Sequence, residues 1–304
     1  MAQWDGRGLP PVAQARIDRA RADGVRTSLL STDATVGLGS VGFDAVGEVM
    51  GCVVESVGWS GYGGCGWMGM GYGGGFGGML GGYSTPPPVI GTRDSRFAAF
   101  RPYADAIRRG YGTALSRLLQ EAAALGADGV VGIRLSVSML DGAREFMAIG
   151  TAVRGRTATR PARPFTTDLS GSDVAKLLLA GWVPDCLLYA FDLAIRHDDW
   201  RTMGQASSWS NTEISGYTEL ITYVRHVVRT DIAEQAARLR SDGFISSAMT
   251  LRIFEVEPGE NHRDHVAESL MVGTAIARYT RQAHPLTDSR TLVPLGGMIP
   301  TRRR

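Results

Sequence analysis

The amino-acid sequence predicts an α+β protein made of two tandem units, each an antiparallel sheet covered by one long helix. Three observations lead to this prediction. Two long segments place apolar residues at the spacing of a helix face, and each is followed by two segments that alternate as strands do. The same order then occurs twice along the 304 residues.

The composition allows a sizeable core, since 44% of residues are hydrophobic, and the formal net charge of +2 gives no reason to expect a nucleic-acid partner. Nearly all basic residues are arginine, a usage typical of a high-GC bacterial genome. The first residues lack the apolar segment of a secretory signal, and no strongly apolar run reaches membrane-spanning length. Cys52, Cys65 and Cys186 are widely spaced. We therefore expect a cytoplasmic chain without a disulfide framework.

The first elements form an N-terminal helical extension, residues 1–26, followed by a strand pair. Prolines near the start and Gly24 at the end bound a short helix from Pro10 to Gly24. The apolar segments Leu29–Val36 and Val41–Val57 are both predicted to be strands.

The next elements complete a first unit, residues 27–155. A long helix is predicted from Tyr103 to Leu125, and Gly126 ends it. Two alternating strands follow, and Asp141-Gly142 between them is a strong hairpin signal. An arginine-, threonine- and proline-rich linker, residues 156–164, leads to a second unit, residues 165–281, and to a C-terminal tail, residues 282–304.

The internal repeat can be checked position by position. Adding 114 to the apolar positions of the first long helix gives apolar residues at every position of the second: Tyr103, Ile107, Ala114, Leu118, Ala122 and Leu125 against Tyr217, Ile221, Val228, Ile232, Ala236 and Leu239. The last strands match at an offset of 123, and the first strands at 135 to 137, as Thr32-Asp33 with Thr167-Asp168. The first copy therefore carries about 22 extra residues before its helix.

These extra residues coincide with a glycine-rich stretch, residues 59–83, which contains 13 glycines and no charged side chain. Such a stretch cannot form a stable helix or strand interior. Two interpretations stay open: a flexible loop, or an interaction loop that packs at a ring axis, on a protein partner or on a membrane surface. The second is suggested by its large apolar residues, Trp59, Tyr62, Trp67, Met68, Met70, Tyr72, Phe76, Met79 and Leu80.

The last strand of each unit is apolar on both faces in places, as in Phe146–Ile149 and Leu270–Val272. Strands of this kind are usually buried on both faces. A single two-layer unit cannot bury both, so we expect the units to pack on one another, within the chain or between chains.

The segment from Glu121 to Ile133, with the strand Gly150–Val153, resembles the YbjQ-like family, which is labelled as a heavy-metal-binding domain. The resemblance covers most of residues 27–155 and is weaker over 165–280, where Arg240 replaces the glycine of the turn. It implies tandem dodecin-like units, pentameric rings and no demonstrated catalysis. We therefore expect a homo-oligomer, non-enzymatic and self-assembling.

Metal binding is the alternative that the family label implies. His262 and His265 form the one histidine cluster, flanked by Glu260, Asp264 and Glu268 in what is predicted to be the loop of the second hairpin. A solvated polar loop is the competing interpretation. No other cofactor is expected beyond such a divalent metal.

Other candidate sites are weaker. Asp33 and Asp168 are either paired site residues or turn and cap residues, and Asp128 and Asp242 favour turns after the long helices. Trp182, Trp200 and Trp209 are either core and interface residues or a surface on which a small ligand stacks. No nucleophile, acid and base set emerges, so we do not expect an enzyme.

Overall fold

The computed structural model describes residues 4, 8–23, 27–59, 62, 89–92, 94, 96–259 and 262–279. Within these residues the chain forms six helices and nine strands. The elements are, in order, α1 (Pro11–Asp23), α2 (Thr32–Ser40), β1 (Phe43–Glu55), β2 (Val89–Gly91), β3 (Ala98–Phe100), α3 (Arg101–Ala124), β4 (Gly129–Leu140), β5 (Ala143–Gly155), β6 (Phe165–Thr166), α4 (Gly171–Leu179), β7 (Trp182–His197), α5 (Trp200–Ala206), α6 (Ser215–Leu239), β8 (Gly243–Gly259) and β9 (His262–Arg278).

The strands form two sheets, and the α+β class is confirmed. Sheet A has the order β1-β5-β4-β6, and sheet B has the order β2-β3-β7-β9-β8. All neighbours are antiparallel except β4 and β6. The hairpin predicted at Asp141-Gly142 joins β4 to β5, and Gly142 takes the left-handed conformation that this turn needs, with φ +67.

One succession of elements, helix–strand–long helix–strand–strand, occurs twice. The helices α3 and α6 begin at Arg101 and Ser215, 114 residues apart, and β5 and β9 end at Gly155 and Arg278, 123 residues apart. The sheet orders agree as well, since β1-β5-β4 corresponds to β7-β9-β8.

The strand predicted at Leu29–Val36 is wrong, because the chain there forms the helix α2. The Ser31 side chain accepts a hydrogen bond from the Ala34 N–H and caps the helix. The second unit behaves in the same way: Ser170 caps α4 by accepting from the Asp173 N–H. A short apolar run does not distinguish helix from strand by its period, whereas the cap residue does.

The pairing of Thr32-Asp33 with Thr167-Asp168 is also wrong. The helices α2 and α4 begin at Thr32 and Gly171, and β1 and β7 begin at Phe43 and Trp182, so both pairs lie 139 residues apart. The same irregularity of strand pairing occurs at Ala45/Gly47 in β1 and at Pro184/Cys186 in β7, which supports this offset. Asp33 therefore corresponds to Ser172.

The long helix α3 lies between the two sheets. The main core joins buried residues of α3, such as Ile107 and Leu118, to Phe146 of sheet A and to Phe191 and Leu193 of sheet B. The helix α6 lies on the opposite face of sheet B, where Val228 and Ile232 pack against Leu188 and Ala190, and it completes the layers.

The strand β9 is buried on both faces within the chain, as its apolar sequence predicts. Val266 and Val272 belong to the core beside α3, whereas Ala267 and Met271 belong to the clusters beside α6. The helices α3 and α6 therefore cover opposite faces of this strand.

The short helices α2 and α4 also join the two units. A Cβ atom at Gly171 would overlap the Ala34 carbonyl oxygen and the Leu38 side chain, so the two helices approach each other more closely than a larger residue would allow. Leu38 and Val174 share a buried cluster with Val131 and Val153 of sheet A.

Candidate functional site

The face of sheet B that α3 covers is buried in the main core. Three cross-strand pairs of β7 and β9 lie on this face. Phe191, Leu193, Val272 and Glu268 are all at most 8% exposed there. The pairs are Tyr189 with Val272, Phe191 with Leu270, and Leu193 with Glu268.

Polar contacts fix α3 on this face. The Tyr103 hydroxyl donates to a Glu268 carboxylate oxygen at 2.7 Å and accepts from the Arg144 guanidinium at 2.7 Å. The Tyr189 hydroxyl donates to the Arg108 carbonyl oxygen at 3.1 Å. Burial, with Glu268 close by, raises the pKa of Tyr103 well above its usual range, so its hydroxyl keeps its proton.

The corresponding face of sheet A, away from α3, carries the same arrangement without the same burial. Three cross-strand pairs lie on it: Met50 with Ile149, Cys52 with Met147, and Val54 with Glu145. With Leu140 at the end of β4, these residues are named here the outer face of sheet A. Val54 is 55% and Leu140 47% exposed, and the other members are partly exposed.

A second exposed apolar set lies between β7 and α6. Trp200 and Met203 of α5 are 89% and 43% exposed, and Trp209 is fully exposed. Trp182, by contrast, lies under the Arg278 guanidinium, 4.5 Å from its ring centre. Large aromatic side chains without cover usually mark an interaction surface. The sequence predicts these three tryptophans as core, interface or ligand-stacking residues, but it does not indicate which of them are exposed.

The residues at the start of the predicted interaction loop are part of an aromatic cluster between the units. Trp59 stacks on Phe100 and Tyr103, with ring centres 5.4 and 4.8 Å away, and meets the ring of Phe254 edge-on at 5.7 Å. The Tyr62 hydroxyl donates to Asp264 at 2.6 Å. The other predicted members, Trp67, Met68, Met70, Tyr72, Phe76, Met79 and Leu80, lie outside the described residues.

His262 and His265 lie in the strand β9, so the loop prediction for these two residues is wrong. His265 pairs with Asp198 and Glu255 at 2.9 and 3.1 Å. Asp264, the preceding residue, points to the other face, where His197 contacts it at 3.0 Å. Within the described part of the chain, no group of three or more His, Cys, Asp or Glu side chains is arranged to hold a metal.

The side chains of two predicted members of the metal cluster lie outside the described part of the structure. Glu260 lies outside the described residues, as does the side chain of His262. Glu268 faces α3 and binds Tyr103, so it belongs to the interface between units and not to the His265 pair.

A groove of about 870 Å³ lies between α3 and α6, along the edge of β7. Carboxylates outnumber basic groups on its walls, which include Asp105, Asp192 and Glu234 beside Arg108 and His226. Burial raises the pKa of Asp192, and the nearby Arg108 opposes this shift.

The aspartates named from the sequence all accept hydrogen bonds, three of them in caps or turns and Asp168 from the strands β8 and β9. The Asp33 carboxylate accepts from Ser31 in the first turn of α2, and Asp168 accepts from Ser247 and Thr274. Asp128 accepts from the Gly155 N–H at 2.7 Å, and Asp242 accepts from the Arg278 N–H at 2.8 Å. The last two therefore close the same turn in both units.

Comparison with family models gives one match within the chain. Residues 91–156 match the YbjQ family, whose model carries the description "Putative heavy-metal-binding". The matched segment contains the last residue of β2 together with β3, α3, β4 and β5, about half of the first unit that the sequence resemblance covers.

Three known proteins are similar to this chain in sequence. An encapsulin nanocompartment protein of Mycobacterium tuberculosis is 27% identical over 93% of this chain and 97% of its own length. UPF0145 proteins of Vibrio campbellii and Shewanella frigidimarina are each 44% identical over 55 residues, 18% of this chain and 53% and 51% of those proteins. No solved structure matches the chain.

Among the described helices, none combines the length and the apolar character that crossing a bilayer requires.

The sequence similarity to known proteins extends along nearly the whole chain at low identity, and the identity is highest over one short segment. The match to the YbjQ family covers the first long helix and its hairpin, and it ends one residue beyond β5.

Proposed function

We propose that this protein consists of two tandem YbjQ-like units, that it assembles with itself into a closed ring, and that it has no catalytic activity. The observation that carries the proposal is the outer face of sheet A. The cross-strand pairs of this face correspond in position to pairs of β7 and β9 that are buried in sheet B. Val54 and Leu140 on this face are nevertheless exposed. Apolar surface of this kind usually marks a protein interface.

Two comparisons support self-assembly. The Mycobacterium tuberculosis relative is described as an encapsulin nanocompartment protein and matches nearly the whole chain. The family resemblance of the first unit implies pentameric rings, which for a two-unit chain means five chains and ten units. Homo-oligomers with closed symmetry are the common outcome when a surface is complementary to another surface of the same chain.

Native mass tests the proposal directly. Mass photometry or sedimentation of the purified chain is expected to give one discrete species at about five times the 32.5 kDa chain mass, independent of dilution over a tenfold range. A monomer at micromolar concentration would contradict self-assembly, and a discrete oligomer of another size would contradict only the five-fold number.

The interaction loop is part of the same proposal. Trp59 and Tyr62 anchor the start of the glycine-rich stretch in the core between the units, and β2 and β3 follow it in sheet B. We propose that residues 63–83, held from this base, contact a protein partner or a membrane surface. The same anchor would also serve a stretch that has no binding role.

A second candidate function is the binding of a metal ion or small ligand. The groove between α3 and α6 favours it, because its carboxylate-rich wall suits a small cation. Calorimetric titration with a diamine and with Zn²⁺ tests this candidate, with Asp192→Asn for the groove and His265→Gln for the histidine pair. Binding that both substitutions leave unchanged would locate the ligand elsewhere.

A further inference from the structure

The outer edge of β4 carries a short added strand. The strand β6 runs parallel to the start of β4, where the Phe165 N–H donates to the Asp128 carbonyl oxygen at 3.1 Å. The Thr167 N–H donates in the same way to the Val130 carbonyl oxygen at 3.0 Å. The counterpart of β4 in sheet B is β8, which is the last strand of its sheet and has β9 as its one neighbour within the described residues. In this part of the chain, β8 therefore lacks the added strand.

The burial of the two strand starts reflects this difference. The three residues where the chain enters β4 are buried, and the exposed fraction is 6% at Asp128 and 0% at Val130. The three counterparts at β8, 114 residues later, are exposed or half-buried. They are Asp242, Gly243 and Phe244. An uncovered strand edge presents backbone groups that can pair with a further strand. Residues 242–247 are named here the docking edge of β8.

The chain leaves the last strand of each unit along the same path. After β5, the Arg156 N–H donates to the Gly42 carbonyl oxygen at 2.9 Å. After β9, the Tyr279 N–H donates to the Gly181 carbonyl oxygen at 3.2 Å. These donors lie 123 residues apart and these acceptors 139 residues apart, as the strands that carry or follow them do. The segment after Tyr279 therefore starts from the place that, in sheet A, leads to β6.

The sequence after Tyr279 repeats the sequence that leads into β6. Residues 160–166 read Arg-Pro-Ala-Arg-Pro-Phe-Thr, and residues 281–287 read Arg-Gln-Ala-His-Pro-Leu-Thr, 121 positions later. Arginine, alanine, proline and threonine recur, and leucine replaces phenylalanine as the large apolar residue. Residues 280–304 lie outside the described part of the structure. Their sequence nevertheless provides the residue types that β6 uses in sheet A.

A pocket for the large apolar residue is present beside β8. In sheet A, the Phe165 ring lies where a Cβ atom of Gly129 would stand, and it meets the Phe43 ring edge-on at 5.8 Å. The corresponding positions of sheet B, by the offsets of 114 and 139, are again a glycine and a large aromatic residue. They are Gly243 and Trp182.

The connection is long enough to reach the docking edge. In sheet A both of its ends contact Asp128, since the Gly155 N–H donates to the carboxylate at 2.7 Å and the Phe165 N–H donates to the carbonyl oxygen. The connection therefore only returns to its own start. After β9, the seven residues 279–285 suffice where sheet A uses the nine residues 156–164, because short connections commonly join neighbouring strands.

We propose that the docking edge of β8 binds residues 286–288 of the same chain as a parallel strand. The Leu286 N–H donates to the Asp242 carbonyl oxygen, and the Leu286 side chain fills the pocket beside Gly243. The Asp288 N–H donates to the Phe244 carbonyl oxygen. Addition of an extended segment to an open sheet edge is a common mode of peptide binding. Both partners lie in one chain, so the contact forms whether or not the chain assembles with itself.

Hydrogen exchange followed by mass spectrometry measures whether the edge is covered. A chain ending at Thr280 lacks the proposed occupant, so exchange over residues 242–248 is expected to be about tenfold faster than in the full chain. Residues 129–135, the corresponding part of β4, are the internal control and also show that the shortened chain is folded. Equal exchange over residues 242–248 in the two chains would overturn the proposal.

A peptide added to the shortened chain tests which sequence the edge accepts. A labelled peptide of residues 281–291 is expected to bind the chain ending at Thr280 and to bind the full chain about tenfold more weakly, because the linked segment competes at a high effective concentration. Leu286→Asp in the peptide is expected to abolish the binding, and Thr291→Ala, outside the match to β6, is the control. Equal binding of the Leu286→Asp peptide would contradict the proposed strand.

A substitution in the full chain distinguishes the proposed occupant from another one. Leu286→Asp is expected to speed exchange over residues 242–248 as much as the truncation does, whereas Leu292→Asp is expected to leave it unchanged. Slow exchange that persists in the chain ending at Thr280 and is lost on dilution would assign the edge to a second copy and overturn the proposal.

Discussion

Tyr103 shows what a single hydroxyl does in this fold. It lies 1% exposed between α3 and sheet B, donates to Glu268 and accepts from Arg144. Removing the hydroxyl leaves a buried carboxylate and a buried guanidinium each without one partner, and such groups are costly to leave unsatisfied.

Tyr103→Phe is therefore expected to lower the free energy of unfolding by about 1–3 kcal/mol. Chemical denaturation at fixed protein concentration measures the change. Tyr223→Phe, in a ring that stacks on Phe97 at 4.6 Å, is the control and is expected to change little. A loss no larger than that of the control would show that the Tyr103 hydroxyl contributes nothing to stability.

Tyr111 gives the fold a dependence on alkaline pH. Burial, with Glu268 close by, raises its pKa to about 12. The folded state therefore holds this proton more tightly than the unfolded state, so its stabilising contribution is complete below pH about 10 and is lost as pH rises to about 12.

We expect the free energy of unfolding to fall with pH between about 10 and 12, and less steeply in Tyr111→Phe. Denaturation curves across this range measure the slope, and Tyr279→Phe, at a side chain that is 59% exposed, is the control. Identical slopes in Tyr111→Phe and the wild type would contradict the expectation.

At the scale of elements, the crossing of β1 over α3 depends on one glycine. A Cβ atom at Gly51 would overlap the Ala114 carbonyl oxygen and the Leu118 backbone nitrogen. The edge of β1 is bound there too, since Arg117 donates to the Cys52 carbonyl oxygen and the Met50 N–H donates to Glu121 at 2.9 Å. The strand therefore lies directly on the helix backbone.

Gly51→Ala is expected to cost about 1–3 kcal/mol of unfolding free energy, because backbone atoms cannot move aside as a flexible side chain would. Gly204→Ala is the control, since a Cβ atom there meets nothing within 4 Å and lies in the helix α5. Thermal melting compares the two. A Gly51→Ala protein as stable as the control would mean that β1 and α3 can separate at little cost.

The sequence predicted the long elements and misassigned the short ones. The helix from Tyr103 onwards could be predicted because its apolar spacing extends over several turns. The matching turns at Asp128 and Asp242 could be predicted because aspartate favours turns. The helix α2 was predicted as a strand because Val36 and its apolar neighbours suit either structure. Ser31 and Ser170 carried the missing signal as helix caps.

The candidate interface was harder to predict from the sequence than the helices and strands were. Two-faced strands indicated that units pack together, but the position of α3 between the sheets depends on tertiary structure. Leu140 and Trp200 look like core residues in the sequence, and only their exposures of 47% and 89% mark them as unpartnered. The histidine cluster was predicted in a loop, whereas His262 and His265 lie in the strand β9.

At the scale of the whole molecule, the chain has layers in the order sheet A, α3, sheet B and α6. In the proposed two-unit organisation, residues 156–164 tie the units together, so the contact between them forms at a high effective concentration. Dilution of an assembly is therefore expected to stop at the intact single chain. Sedimentation at decreasing concentration would show this end point, and unfolding in step with dissociation would contradict it.

The covalent link between the sheets also decides which rings can exist. A chain with a single unit could close a ring with an odd or an even number of units. Here each chain brings two units, joined through residues 156–164, so a ring closed through one repeated contact holds an even number of units, and tied and untied contacts alternate around it. In such a ring, the number of contacts that can dissociate, which are those between chains, is half the number of units.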